Sequence, residues 1–212
     1  MDLTSIRTDY HQGRLRREDL KPDPIEQFNL WLADAINAKL IEPNAMSLAT
    51  AGKDGRPLLR TVLLKGVDAR GFQFFTNLES RKARQIEQNA AVSLLFPWLA
   101  LERQVIVTGT AERVSTTEAA NYFLTRPRDS QLAAWASRQS SVISSREALE
   151  TESGRFKEKF GTGEVPMPSF WGGYCVKPAT IEFWYGGPSR LHDRFEYQRQ
   201  ADDSWKIERL SP

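Results

Sequence analysis

The chain of 212 residues contains one cysteine, Cys175, and two histidines, His11 and His192. A single cysteine excludes an intrachain disulfide and any metal site built from several thiolates. The two histidines are far apart in the sequence and form no metal-binding motif. We therefore predict no metal site, and the lone thiol fits a reducing, cytoplasmic setting.

Long apolar runs and a strong charge of one sign are also missing. No stretch approaches the roughly 18 apolar residues of a membrane span, and the first ten residues lack the apolar core of a signal peptide. The net charge is only +2, whereas nucleic-acid-binding proteins usually show a larger basic excess. These absences predict a protein with no membrane and no nucleic-acid partner, and the length suits one domain.

What the chain does contain is a succession of short strand-like segments. Apolar and β-branched runs between turn residues predict strands at 45–50, 60–65, 72–76, 91–96, 104–114, 171–176, 180–185, 190–198 and 205–210. Helical periodicity predicts helices from Pro24 onward and at 80–88, 117–125, 130–137 and 145–160. Strands and helices do not alternate regularly. The pattern therefore favours a mainly β (α+β) protein, an antiparallel barrel with peripheral helices.

The polar, arginine-rich N-terminus carries no such periodicity. We predict a mobile segment at residues 1–20 and a single domain at residues 21–212. Asp23 is a suitable N-cap for the helix that Pro24 opens.

A row of ionisable residues follows the Gly186-Gly187 turn near the C-terminus. If the segment is a strand, Arg190, His192 and Arg194 share one face, while Leu191 and Phe195 share the other. Three such groups on one face are suited to holding an anion.

The helix predicted after Ser80 begins with two cations, Arg81 and Lys82. Cations in the first turn oppose the helix dipole, unless an anion binds the free backbone N–H groups there. The alternative is that both side chains are simply solvated.

Other candidate anion ligands are less specific. Tyr122 and Arg126 lie four residues apart, Pro127 breaks their helix, and Asp129-Ser130 can cap the next one. A helix connection without a ligand explains that pattern equally well. Arg60 and Lys65 are expected at the two ends of one strand, where basic residues are usually solvated.

Three polar side chains near the predicted strands could form hydrogen bonds with the edge of a heterocycle, or they could simply be exposed to solvent. These residues are Gln104, Gln139 and Ser140. Trp184 could stack on a ring or fill the core. The chain has no dinucleotide fingerprint, Walker loop or Gly-x-Ser-x-Gly motif.

Taken together, these segments resemble the pyridoxine/pyridoxamine 5′-phosphate oxidase family, over about residues 6–212 in collinear order. The segments that carry the resemblance are RTVLLK (60–65), FFTNLESRKARQIEQN (74–89), SLLFPW (93–98), LERQVIVTG (101–109), YFLTRPRDSQLAAW (122–135), SRQSS (137–141), VPMPSFWGGY (165–174), IEFWYGG (181–187) and RLHDRFEYQR (190–199).

The resemblance implies an antiparallel split β-barrel that works as a homodimer with FMN at the subunit interface. It assigns the FMN phosphate to Arg60, Arg81 and Lys82, with help from Thr76. The other implied FMN contacts are Thr61, Val62, Leu63, Leu64, Lys65, Phe75, Gln104, Gln139, Ser140, Trp184 and Arg194. Relatives often carry Tyr where this chain has Phe75.

The resemblance also implies a second ligand set for the substrate. The substrate phosphate falls to Lys65, Tyr122, Arg126 and Ser130. The substrate ring falls to Arg190, Leu191 and His192, with Arg190 and His192 as the catalytic pair. Arg7 and Tyr10 correspond to an N-terminal lid.

The implied activity is the oxidation of pyridoxine 5′-phosphate and pyridoxamine 5′-phosphate to pyridoxal 5′-phosphate. A hydride passes from C4′ to flavin N5, and O2 reoxidises the flavin to give H2O2, with NH3 released from the amine. The alternatives are a split-barrel flavin reductase with another substrate and a non-enzymatic nucleic-acid-binding module.

Overall fold

The computed structural model describes residues 1–6 and 9–212. Within these residues the chain forms nine strands and five α-helices. The strands are β1 Ala45–Ala51, β2 Pro57–Leu63, β3 Gly66–Asp68, β4 Gly71–Asn77, β5 Ala91–Trp98, β6 Arg103–Arg113, β7 Trp171–Tyr185, β8 Asp193–Arg199 and β9 Trp205–Leu210. The helices are α1 Pro24–Asn37, α2 Arg81–Gln88, α3 Thr116–Thr125, α4 Arg128–Ala136 and α5 Arg146–Phe160.

All strand pairs are antiparallel, and β7 is the strand that organises them. The order along the sheet is β2-β1-β5-β6-β7-β4-β3, and β8 pairs with both β7 and β9. β7 pairs with β6 along nearly its whole length, with β4 over its first half and with β8 over its second half. The prediction of two strands at 171–176 and 180–185 is therefore wrong, because one continuous strand crosses Pro178 with a register shift opposite Gly109.

The first helix follows its sequence signals closely. The Asp23 carboxylate accepts a hydrogen bond of 2.8 Å from the Ile25 N–H, and Pro24 occupies the first helical turn. The apolar face of α1 carries Phe28, which is fully buried and packs edge-on against Phe72 and Phe96. This aromatic contact fixes α1 against the strands that form the main core.

Residues near the N-terminus pack on the same core. Leu15 and Leu20 are buried, and the Tyr197 hydroxyl donates to the Lys21 carbonyl. That residues 1–20 form a mobile segment stays a prediction. No helix among the described residues is both long and apolar enough to cross a membrane.

Candidate active site

A cleft of about 670 Å³ opens where β2, β4 and the start of β7 meet helices α2, α3 and α4. Many of the predicted ligand residues line it. These are Thr61, Val62, Leu63, Lys65, Phe75, Thr76, Lys82, Tyr122, Arg126, Ser130 and Gln139. Leu64, which the resemblance includes among the flavin contacts, is buried in the core, so only its backbone can face a ligand.

One end of the cleft is the N-terminus of α2, which begins as predicted. The Ser80 hydroxyl accepts from the Ala83 N–H and caps the helix, so Arg81 and Lys82 stand in its first turn. The Lys82 ammonium donates to the Thr76 hydroxyl at 3.1 Å and to the Gln139 amide oxygen at 3.0 Å. The Arg81 N–H donates to the Ser140 hydroxyl. Five predicted residues from two separate segments, 74–89 and 137–141, therefore meet around one helix terminus.

Arg60 completes this end of the cleft. The prediction that Arg60 and Lys65 lie at the two ends of one strand is wrong. β2 runs from Pro57 to Leu63, so Arg60 lies in its middle and Lys65 lies beyond its end. The Arg60 guanidinium donates to the Leu48 carbonyl at 3.0 Å and to the Thr50 hydroxyl at 2.6 Å. Those bonds hold the charge in place, on the side of the sheet where α2 begins.

The cations at this end raise each other's electrostatic energy. Burial, and then the charge of Arg60, lowers the pKa of Lys82 to about 8. Burial, and then Arg81, lowers the pKa of Arg60. Among the described residues none of these three cations forms an ion pair with a carboxylate. Such a cluster is stabilised by binding an anion.

The other end of the cleft holds Lys65, Tyr122, Arg126 and Ser130. The Arg126 guanidinium lies 4.1 Å from the centre of the Trp171 ring, and burial lowers its pKa. Arg126 Nη1 and Trp171 Nε1 are buried and have no hydrogen-bond partner within residues 1–6 and 9–212. Tyr122 stacks on Phe75, with ring centroids 4.0 Å apart. This end is therefore a second cationic site with unsatisfied donors.

The connection between α3 and α4 differs from its prediction. α4 begins at Arg128 after Pro127, with no side-chain cap, so Asp129 and Ser130 do not cap it. Arg126 is the C-cap of α3 and Ser130 lies inside α4. Both nevertheless line the cleft, because the Pro127 turn folds the two helix ends together.

The remaining predicted residues lie at the far end of β7, outside the cleft lining. Phe75 pairs with Gly173, whereas Gln104 and Arg194 both pair with Trp184. Trp184 is eleven residues beyond Gly173, which is roughly 36 Å along an extended strand. A single chain thus divides its predicted site residues into two groups.

Aromatic rings meet at this second location. The ring centroids of the half-buried Trp184 and of His192 lie 4.6 Å apart. The Tyr10 ring packs edge-on against both, with centroid distances of 5.7 Å to Trp184 and 5.4 Å to His192. The Gly187 N–H donates to His192 Nδ1 at 3.1 Å. Burial, and then the nearby Arg190, lowers the His192 pKa. The lowered pKa favours the neutral form of His192, and the bond from Gly187 to Nδ1 favours the tautomer with its proton on Nε2.

The prediction that residues 190–198 form one strand is wrong at its start. Residues 188–190 form a short 3-10 turn, Arg190 has a φ of 65°, and β8 begins only at Asp193. Arg190 and His192 therefore do not share a strand face with Arg194. Leu191 is 72% exposed and not part of the core, whereas Phe195 is buried as predicted.

Arg194 is held by an acidic partner that the sequence did not reveal. Its guanidinium forms a two-point ion pair with the buried Glu182, at 2.8 and 3.0 Å, and also donates to the Ser211 carbonyl. Glu182 is opposite Glu196 and Trp184 is opposite Arg194, so the two partners are diagonal neighbours on β7 and β8, which the sequence could suggest only once the register was known. Trp171 was also missed, because no motif distinguishes a ligand-side Trp from a core one. The predicted lid residue Arg7 lies outside the described residues.

Comparisons with known proteins agree with this geometry. The family model described as pyridoxamine 5′-phosphate oxidase matches residues 32–159, and the model described as the pyridoxine 5′-phosphate oxidase C-terminal dimerisation region matches residues 171–212. The pyridoxine/pyridoxamine 5′-phosphate oxidases of Rippkaea orientalis and Vibrio atlanticus are 57% and 58% identical to this chain over 212 residues, with 100% of both chains covered.

Solved structures show a similar fold. PhzG from Burkholderia lata, solved with tetrahydrophenazine-1-carboxylic acid, superposes with a TM-score of 0.88 at 32% identity, covering 93% of this chain and 98% of its own. A pyridoxamine 5′-phosphate oxidase-related, FMN-binding protein from Nostoc punctiforme has a TM-score of 0.72 at 18% identity, covering 91% of this chain and 100% of its own, and supports the fold alone. The fold is thus that of the split β-barrel class, as predicted. Within that class, the chain belongs to the pyridoxamine 5′-phosphate oxidase family.

Proposed function

We propose that this chain oxidises pyridoxine 5′-phosphate and pyridoxamine 5′-phosphate to pyridoxal 5′-phosphate, using FMN and O2, as a cytoplasmic homodimer. One observation carries the proposal. A single cleft has a cationic site without carboxylates at each end, and the reaction brings together two ligands that each bear one phosphate. Full-length relatives that carry this activity in their names support it.

The residues of the cleft fit FMN. A flavin phosphate needs donors and positive charge, and the N-terminus of α2 supplies backbone N–H groups together with Arg60, Arg81 and Lys82. Thr76 and Gln139 now satisfy the Lys82 ammonium in part, and a phosphate would be a stronger acceptor for it. When bound, FMN supplies the acceptor for the hydride of the substrate and passes the electrons on to O2.

The second cationic site suits the substrate phosphate. Arg126 offers a planar guanidinium that can bind two phosphate oxygens, and Lys65 adds a compact charge. Tyr122 and Ser130 provide hydroxyl donors on the same wall. These contacts fix the distance between the substrate's phosphate and its reacting carbon, so that binding energy is used for orientation.

A ring-binding group, made up of Arg190, Leu191 and His192, acts at the other end of the substrate. The Nδ1 of His192 accepts from Gly187, so its Nε2–H is available to donate to a ring oxygen of the substrate. We assign His192 this positioning role at pH 7, with Arg190 beside it over the ring and Leu191 as an apolar neighbour. Gln104, Trp184 and Arg194 lie on adjacent strands and are assigned to the flavin.

The division of the site into two groups supports the homodimer. A second copy of the chain would bring the ring-binding group of one subunit to the cleft of its partner, and the C-terminal match carries the description of a dimerisation region. The cytoplasmic assignment is supported by the single free thiol of Cys175. Burial raises the pKa of this thiol to about 11, which keeps it protonated and unreactive.

Purified protein tests the proposal directly. We expect a yellow protein that binds FMN and releases H2O2 when pyridoxine 5′-phosphate is added, but far less with the unphosphorylated vitamin. A colourless protein that takes up no FMN would contradict the flavin assignment and would revive the nucleic-acid alternative. FMN binding without peroxide release on either phosphorylated substrate would favour a split-barrel reductase with another substrate.

A further inference from the structure

Two backbone N–H groups of the N-terminal segment bind one carboxylate of the protein body, that of Glu102. The backbone N–H groups of His11 and Gln12 both donate to Glu102, at 2.9 Å to the same oxygen, and His11 also reaches the other oxygen at 3.2 Å. Glu102 ends the short 3-10 turn before β6 and is itself in a left-handed conformation, with a φ of 54°. Its side chain thus binds a segment some ninety residues away in sequence.

A second contact fixes the residue just before those donors. Tyr10 packs on Gly186 so closely that a Cβ at position 186 would lie 2.6 Å from Tyr10 Cδ1. Gly186 donates its own N–H to the Glu102 carbonyl at 2.7 Å. Glu102 therefore holds both sides of the contact, the N-terminal segment through its carboxylate and the glycine turn through its backbone.

The consequence for the site is the position of the Tyr10 ring. With His11 and Gln12 anchored, Tyr10 lies edge-on against Trp184 and His192, the residues assigned to flavin and substrate rings. Downstream, the Leu15 N–H donates to Asp193, which also binds Arg209, so the segment is anchored on both sides of Gly13. Because the donors are backbone N–H groups, these bonds fix the path of the segment whatever side chains it carries.

We propose that Glu102 is a positioning residue, which holds the N-terminal segment through two backbone N–H groups and thereby sets Tyr10 over the substrate ring. This inference rests on the proposed function for the role of Tyr10, whereas the anchoring itself does not depend on it. Hydrogen bonds to a charged acceptor are among the stronger ones in proteins, so removing the carboxylate should release the segment.

The experiment uses the FMN-loaded homodimer and three variants: Glu102→Ala, Tyr10→Ala and the double variant. We expect Glu102→Ala to raise KM for pyridoxine 5′-phosphate roughly tenfold, the order expected for a lost charge-assisted hydrogen bond, with FMN affinity unchanged. Trypsin should also cut faster after Arg14, which is exposed and borders the residues that Glu102 holds. In the Tyr10→Ala background, Glu102→Ala should change KM little further, because both act through the same ring.

Matched variants separate anchoring from a general loss of structure. Glu102→Gln keeps an oxygen that can accept both N–H groups and should restore most of the KM and the slow trypsin cleavage. Glu164→Ala removes an exposed carboxylate elsewhere and should change neither. Gly186→Ala, whose new Cβ would displace Tyr10, should raise KM from the opposite side of the contact.

Two results would overturn the inference. The first is a Glu102→Ala protein with unchanged KM and unchanged trypsin cleavage. The second is a KM effect that adds fully to that of Tyr10→Ala. If the wild-type protein shows no oxidase activity, the proposed function fails, and the trypsin comparison alone then decides whether Glu102 anchors the segment.

Discussion

The two ends of β7 carry opposite kinds of chemistry. Near its start, Lys82 and Arg126 line the cleft and Arg60 lies close to Lys82. Among the described residues none of these cations is paired with a carboxylate. Near its end, Arg194 is paired with Glu182, and the neighbouring surface is aromatic. Partly buried cations without a partner raise the free energy of the protein until an anion binds, whereas a cation paired with a carboxylate has no such need. The first end is therefore suited to phosphates, and the second to planar rings.

The strongest test of this comparison asks whether the two ends work across subunits. Arg126→Ala damages the cleft and Arg190→Ala damages the ring-binding group, so each homodimer should be nearly inactive. If every site combines the cleft of one subunit with the rings of its partner, a hybrid dimer of the two variants contains one site with both changes and one with neither. We expect purified hybrid dimers, made by co-expression with two different tags, to recover about half of the wild-type activity.

The control is a hybrid of Arg126→Ala with Lys65→Ala. Both changes lie in the cleft, so every site carries one of them and activity should stay low. Hybrids of Arg126→Ala and Arg190→Ala that also remain inactive would show that each site is built within one subunit.

A single change at the ring end should separate chemistry from flavin binding. Arg190→Ala removes a cation assigned to the substrate ring, so kcat/KM for pyridoxine 5′-phosphate should fall about a hundredfold, on the scale of a lost charged contact in a reacting site. FMN should stay bound, as measured by the absorbance of the purified protein and by titration. Loss of FMN from this variant would mean that the two ligands are assigned to the wrong groups.

The opposite result is expected at the start of α2. Arg81→Ala removes one cation from the helix N-terminus, so the Kd for FMN should rise about tenfold, as for one charge-assisted hydrogen bond. With FMN saturating, KM for the substrate should be close to that of the wild type. Arg84→Ala serves as the control, because Arg84 lies on the same helix but donates to the Glu79 carbonyl and not to the cleft.

Sequence reasoning located the cations of the cleft more accurately than the ring end, and the difference has a physical cause. The Ser80 cap and the helix after it are local features, so the positions of Arg81 and Lys82 followed directly from the sequence. The ring end depends on a chain reversal in which Ser189 and Arg190 both adopt left-handed conformations. The Gly186-Gly187 pair marks a turn, but neither Ser189 nor Arg190 is glycine, so nothing local shows that the reversal extends through Arg190, and strand parity gave the wrong faces.

Contacts between elements that are distant in the chain also could not be predicted from the sequence. Glu182 meets Arg194, and Glu102 meets His11, only once the strands and the N-terminal segment are in register. The single strand β7 was divided in two because Pro178 normally interrupts a sheet. Here the register shift opposite Gly109 accommodates the proline. This shift is a property of the pairing between β6 and β7, so the sequence of β7 alone does not show it.

The pKa of Lys82 gives a pH test of the cleft. Burial and Arg60 lower this pKa to about 8, so the ammonium loses its proton above that pH in the absence of FMN. A phosphate favours the charged form, so binding FMN above pH 8 requires proton uptake, and the affinity should fall by up to about tenfold per pH unit there. Below pH 8, down to about pH 7, it should change little.

Lys82→Arg is the matched variant for this experiment. A guanidinium keeps its proton throughout the range, so FMN titrations between pH 7 and 9 should give a flat profile. An equally flat profile in the wild-type protein would show that Lys82 does not titrate near 8 or does not contact the FMN phosphate.

The smallest expected effect concerns the second cationic site. Trp171→Leu removes the ring that lies against Arg126, and a cation–π contact contributes about 0.5–1 kcal/mol, so KM for the substrate should rise about two- to fivefold. Inhibition by inorganic phosphate, measured against the substrate, should weaken by the same factor, because the effect is on the phosphate contact. Trp135→Leu is the control. Trp135 belongs to the neighbouring aromatic cluster with Phe156 and Phe160 and should affect stability without affecting phosphate inhibition. Equal phosphate inhibition in the wild type and in Trp171→Leu would mean that Arg126 holds its position without the ring.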